Sequence, residues 1–237
     1  MLTLGDIARL NGTRVGKDVA VVWHDVRVTH EQLDSRSNII GNALLDMGIG
    51  KGDRVALLAS NCHQVVDIHV ACSKVGAILV PLNAMLHPME IARLLNHCQA
   101  KVILVTSDLT QVVDSIRAET PELKGFISIG EAEGMINYEK ILSGYPNKDP
   151  AIQVDENDTA LISYTSGTTG LPKGVMLSHR NLFSNAVNAV IGYNIPLGGK
   201  ELIPFPLFFS AVFNAHVISH LLAEGTVVIL DWFKAES

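Results

Sequence analysis

Arg54-Val55-Ala56-Leu57-Leu58-Ala59, a segment of helix length from Asn61 to about Val75, and then Gly76-Ala77-Ile78-Leu79-Val80-Pro81 are the residues on which the fold turns. Both short runs are nearly all apolar, as strands buried on two faces of a parallel sheet must be. Asn61 is placed to cap the intervening helix, and Pro81 stops the second strand. Toward the N-terminus, Val19–Trp23 and Val26–Val28 flank His24-Asp25 and predict a hairpin. Thr29 and Gln32 then have capping-box spacing, opening a helix to Met47 with Leu33, Ile40, Leu44 and Met47 on one face. Toward the C-terminus, Pro88 begins a helix with Ile91, Leu94 and Leu95, and Lys101–Val105 and Phe126–Ile129 are further strands around a helix from Leu109 to Ala118. This alternation predicts an α/β fold, a doubly wound parallel sheet with helices on both faces.

Residues 143–158 are polar and rich in Pro, Asn and Asp, which places a boundary between a first α/β subdomain, 1–150, and the start of a second, 151–237. The second part reads as a strand from Thr159 to Thr165, a glycine-rich loop, and a short strand at Val175–Leu177. A helix capped by Ser178 follows, then a Phe-rich strand around 201–208, a helix ending at Gly225, and a strand from Thr226 to Leu230.

With 237 residues, 48% of them hydrophobic, the chain can bury a sizeable core. Its net charge of -6 and lack of any basic block argue against a nucleic-acid partner. It has neither an apolar run of spanning length nor a basic start followed by an apolar segment, so no transmembrane helix or signal peptide is expected. Cys62, Cys72 and Cys98 are odd in number and widely spaced; they read as reduced, buried thiols of a cytoplasmic protein, with no metal site. The mean hydropathy of +0.27 implies either an unusually aliphatic core or apolar faces that expect a partner.

The segment Tyr164-Thr165-Ser166-Gly167-Thr168-Thr169-Gly170-Leu171-Pro172-Lys173-Gly174 carries the chemistry. Its glycines let the backbone turn back and present successive N–H groups to anionic oxygens. Thr165, Ser166, Thr168 and Thr169 add hydroxyl donors, and Lys173 supplies a cation on a flexible stem. Such a set suits a polyphosphate. It is not a Walker A loop, because Lys173 is followed by Gly174 and a strand, where that motif continues into a helix.

The run Tyr164 to Asn181 resembles the phosphate-loop motif of the adenylate-forming superfamily, which includes acyl-CoA synthetases, luciferases and peptide-synthetase adenylation domains. Gly50–Ala56 and Gly76–Asn83 are similar to that family's first core strand and a later segment. The resemblance implies a two-step reaction. A carboxylate attacks the α-phosphorus of ATP, releasing pyrophosphate, and the acyl-adenylate is then taken by the thiol of coenzyme A. Thr165, Ser166, Gly167, Thr168, Thr169, Gly170 and Lys173 would hold the β- and γ-phosphates with Mg²⁺; Lys173 and Thr168 would carry the catalytic part. No protein nucleophile is implied. The resemblance covers the N-terminal part of the family fold, which implies α/β architecture with stacked, mostly parallel sheets flanked by helices and no C-terminal lid. It also implies that the missing part is the chain's first partner and that this piece is inactive by itself. A non-catalytic nucleotide-binding module and a peptide-synthetase adenylation domain are the alternatives.

Pro206–Asn214 resembles the family's acyl-pocket segment, which makes Phe208, Phe209, Val212 and Asn214 candidate pocket residues. Phe209 and Val212 stand where many acyl-CoA synthetases have His and Gly. The same run reads equally well as core. Fatty, aryl and small branched acids are all compatible with it. His179 reads as structural at a helix N-terminus, and His216 and His220, four apart, lack the residues of a metal motif.

Overall fold

Apolar runs alternate with capping residues and glycines along the chain, so helices and strands alternate too. The computed structural model describes residues 2–165 and 172–231. Helix α1 (Leu4–Arg14) starts on a capping box of Thr3 and Asp6. The hairpin of β1 (Val19–Trp23) and β2 (Val26–Thr29) turns at His24, whose φ is 49°. Thr29 and Gln32 then cap α2 (His30–Asp46) reciprocally, as their spacing predicts. There follow β3 (Arg54–Leu58), α3 (Gln64–Val75), β4 (Ile78–Pro81), α4 (Pro88–Cys98), β5 (Val102–Thr106) and α5 (Thr110–Ile116). Next come β6 (Gly125–Ile129), β7 (Ile136–Asn137) and α6 (Tyr138–Gly144). Beyond the polar stretch lie β8 (Thr159–Thr165), β9 (Lys173–Ser178), α7 (His179–Gly192) and β10 (Lys200–Ile203). Helix α8 (Ser210–Val212) runs through a π-helical turn, Phe213–Val217, into α9 (Ile218–Leu222), and β11 (Thr226–Ile229) follows.

Seven strands form one sheet in the order β7-β6-β5-β3-β4-β8-β9, parallel except for the β8–β9 hairpin. Its central strands are buried on both faces, and their residues alternate between two cores. Val55, Leu57, Val102 and Leu104 face the core that contains α1, α2, α3 and the smaller sheet. Ala56, Leu58, Ile103 and Val105 face the core under α4 and α5. A period of two with no polar member is what a doubly covered sheet requires. The smaller sheet, β10-β11-β1-β2, pairs β1 in parallel with β11, some 200 residues later. Each sheet therefore contains strands from both sides of residue 150.

Close packing of the helices has specific causes. A Cβ on Gly5 would come within 2.9 Å of Lys74 Cγ, so α1 reaches α3 only with glycine there. Lys74, 2% exposed, is held by Asp34 Oδ1 at 2.5 Å and Asn38 Oδ1 at 2.6 Å, which stitches α3 to α2. The three cysteines are free and buried. Ile191, Tyr193, Leu197 and Leu202 stay exposed along α7, β10 and the link between them.

Three sequence expectations change. Asn61 does not cap α3; the helix starts three residues later, behind His63, which makes no side-chain cap bond. The strand expected over 201–208 ends at Ile203, because the chain turns at Pro206 toward α8. Helix α1 and the pair β7–α6 have no counterpart in the sequence reading.

Candidate functional site

The hairpin of β8 and β9 presents the glycine-rich loop. Its last ladder pair is Thr165 with Lys173, both exposed, so residues 166–172 connect two neighbouring strand ends. Ser166, Gly167, Thr168, Thr169 and Gly170 lie outside the described residues. Lys173 meets no carboxylate among the described residues, where Lys51, Lys74 and Lys101 each pair with an aspartate.

Beside the hairpin tip lies a cavity of about 510 Å³. Asn83 and Glu90 line it together with Tyr164 and Thr165 of β8 and with Phe208 and Phe209. It opens at the carboxyl ends of β4 and β8, where parallel α/β sheets bind ligands. The rings of Phe208 and Phe209 are 4.5 Å apart and inclined by 50°. Ser163 donates to the Ser210 hydroxyl at 3.0 Å, fastening β8 to α8.

The four candidate acyl-pocket residues divide. Phe208 and Phe209 line the cavity; Val212 packs against the main core, and Asn214 is buried with its side-chain oxygen unpartnered among the described residues. Phe208 and Phe209 precede the first helical residue, Ser210, whereas Val212 and Asn214 lie within the helix, Asn214 in its π-helical turn. Phe213 stacks on His69 at 3.4 Å with planes 15° apart. His69 is fully desolvated there, which pushes its pKa down to about 3.

Asn61 is the positioning residue that sequence reasoning missed. Its Nδ2 donates to the carbonyls of Phe205 at 3.0 Å and Leu230 at 2.8 Å, and its Oδ1 accepts from Leu207 N–H at 2.8 Å. One buried amide thereby fixes the segment that carries Phe208 and Phe209 to the end of β3. In the sequence Asn61 shows only as a possible cap in the polar link, residues 60–63, between β3 and α3.

The histidines fall where a structural role puts them. His179 is 1% exposed at the first turn of α7, and burial lowers its pKa, so the ring is neutral. His216 and His220 both face Glu201, at 2.7 and 2.8 Å, a partner fifteen or more residues away in sequence. Among the described residues no three His, Cys, Asp or Glu side chains gather as a metal ion requires.

Fold and site together define a class: an α/β protein with a cationic, hydroxyl-rich hairpin loop at the carboxyl end of a mostly parallel sheet. The model of the AMP-binding enzyme family matches residues 9–237, and the chain belongs to that family. The long-chain-fatty-acid–CoA ligase FadD13 of Mycobacterium tuberculosis is 31% identical over 211 residues, covering 89% of this chain and 41% of that protein. The long-chain-fatty-acid–CoA ligase of Thermus thermophilus is 35% identical over 179 residues, 75% of this chain and 32% of its own length. The inhibitor-bound N-terminal domain of FACL13 from Mycobacterium tuberculosis superposes with a TM-score of 0.92 at 29% identity, over 99% of this chain and 58% of that one. The chain therefore has the fold of the N-terminal domain of acyl-CoA ligases, and it spans about two fifths of the length of the first of these relatives. No described helix is long and apolar enough to cross a membrane.

Proposed function

We propose that this chain is the ATP-binding part of an AMP-forming acyl-CoA synthetase that activates a fatty acid and passes the acyl group to coenzyme A. The pairing of Thr165 with Lys173 beside a cavity walled by Phe208 and Phe209 carries this reading. Family membership and the relatives' names support the ligase class and the choice of a fatty acid.

ATP binds as its Mg²⁺ complex with the β- and γ-phosphates in the loop from Thr165 to Lys173. The fatty carboxylate attacks the α-phosphorus, the bond to the bridging oxygen breaks, and pyrophosphate leaves. Charge moves onto pyrophosphate as that bond breaks. Lys173, with the hydroxyls of Thr165, Ser166, Thr168 and Thr169 and the loop N–H groups, offsets that charge. Phe208 and Phe209 exclude water from the acyl side. The neutral His179 stays out of the chemistry. Three buried free thiols accord with a cytoplasmic setting.

Calorimetric titration of this chain with Mg-ATP tests the reading. Saturable binding that weakens at least about tenfold in Lys173→Ala, with one phosphate-bound cation removed, is the expected result. Equal binding by the variant, or none by the parent chain, overturns the loop assignment.

A further inference from the structure

The hairpin that carries the loop stands out from its sheet. Strand β8 meets β4 in the ladder at Leu161 and Leu79, and from Ile162 to Thr165 its ladder partner is β9. Strand β9 is the sheet edge. A two-stranded ribbon is marginally stable without further support. Here the support comes from side chains on both faces. On one, Ser163 bonds Ser210. On the other, the Tyr164 hydroxyl lies 2.7 Å from His97 Nδ1 and 3.4 Å from the Leu94 carbonyl, both on α4. The imidazole stands edge-on to the phenol, with 71° between planes and 5.7 Å between centroids. Across the ladder Tyr164 faces Gly174, where a Cβ would lie 3.4 Å from Tyr164 Cε1 and 3.0 Å from Ile162 Cγ2. The absence of a side chain at Gly174 lets the phenol lie between β9 and α4.

We propose that His97 and Tyr164 form a clamp that holds the end of the β8–β9 ladder against α4, and that His97 is thereby a positioning residue for the polyphosphate. This rests on the reading of the loop given above. His97 lies on α4, 67 residues from Tyr164 and outside the glycine-rich segment. Thr165 follows Tyr164 directly, and Lys173 precedes Gly174, so a shift of the phenol moves both ends of the loop. The His97 tautomer sets which partner donates; with the proton on Nδ1, the phenol is free to donate to Leu94. His97 is exposed, so its replacement leaves the core intact.

Tripolyphosphate, Mg-ATP and AMP are titrated into the chain and into Tyr164→Phe, His97→Ala, His97→Asn and His97→Gln, with hydrogen exchange followed over residues 159–178. Asparagine places its amide where Nδ1 stands, whereas glutamine reaches past it. Loss of one hydrogen bond corresponds to about three- to tenfold, expected for tripolyphosphate and ATP in Tyr164→Phe and His97→Ala. AMP, with no β- or γ-phosphate, is expected to be unaffected, and His97→Asn to restore affinity where His97→Gln does not. Faster exchange in the hairpin is expected in the two weakened variants. Unchanged tripolyphosphate affinity in both overturns the positioning role, whatever the exchange shows. If the parent chain binds no polyphosphate, the loop reading fails and the positioning role with it; exchange then reports whether the clamp itself exists.

Discussion

The side-chain oxygen of Asn61 accepts the Leu207 N–H at 2.8 Å, while its nitrogen reaches the carbonyls of Phe205 and Leu230. These bonds join the end of β3 to the segment after β10 and the residue after β11, so one amide spans both sheets. Each partner lies in a part-buried or buried bond, where an unpaired polar group costs about 1–3 kcal/mol. Asn61→Ala is therefore expected to destabilise the chain by about 2–4 kcal/mol, the sum of a few such groups partly rescued by water. Urea unfolding checks this as a lower midpoint at unchanged slope. Asn61→Asp, which turns the carbonyl partners toward a carboxylate, is expected to cost at least as much; a midpoint equal to that of the parent would remove Asn61 from its proposed place.

What the sequence disclosed followed local physics. Strands β3 and β5 were legible because burial on two faces leaves four consecutive apolar residues in each, and the capping box at Thr29 and Gln32 because its residues are three apart. The equivalent box at Thr3 and Asp6 carries the same signal and went unread, which cost α1. Pairing of β1 with β11 leaves no local trace, since it is set by two apolar strands meeting after some 200 residues. At the site, the loop was legible as a chain of small, hydroxylated residues ending in Lys173. The division of Phe208 and Phe209 from Val212 and Asn214 was not, because it depends on where the chain enters α8, which tertiary bonds such as that from Leu207 to Asn61 set. Tertiary partners such as Asn61 for Leu207 and His97 for Tyr164 were invisible for the same reason as the strand pairing.

A buried ion pair gives a second prediction. Arg36 Nε lies 2.8 Å from Asp67 Oδ2, which also accepts from the Tyr138 hydroxyl at 2.9 Å. Asp67 and Tyr138 are wholly buried. Removing the cation strands a carboxylate in the core, so Arg36→Met is expected to cost about 3–5 kcal/mol. Replacing both members, as Arg36→Met with Asp67→Leu, removes the stranded charge and is expected to recover part of that loss. Chemical denaturation of the two variants beside the parent decides it; a double variant no better than the single would show that packing, not charge, sets the cost.

Acid sensitivity is the third prediction, and its direction follows from burial. Desolvation drives His69 to about 3; for His63, desolvation and then the nearby Arg36 charge drive the ring to about 4. Unfolded, both rings titrate near about 6.5. Below that value the unfolded chain binds protons that the folded chain refuses, so stability is full above pH 7 and falls as the pH drops from about 6.5 toward about 4. Each ring contributes a slope of up to about 1.4 kcal/mol per pH unit within that window. Urea midpoints measured at pH 7.5, 6 and 5 are expected to fall steadily. His69→Phe keeps an aromatic ring against Phe213 and has a void of about 10 Å³ beside it to take the added volume. The variant is expected to lose one proton's worth of the slope while retaining the fold. Midpoints that stay level from pH 7.5 to 5, or a slope untouched by His69→Phe, would mean that the ring is not held neutral in the folded chain.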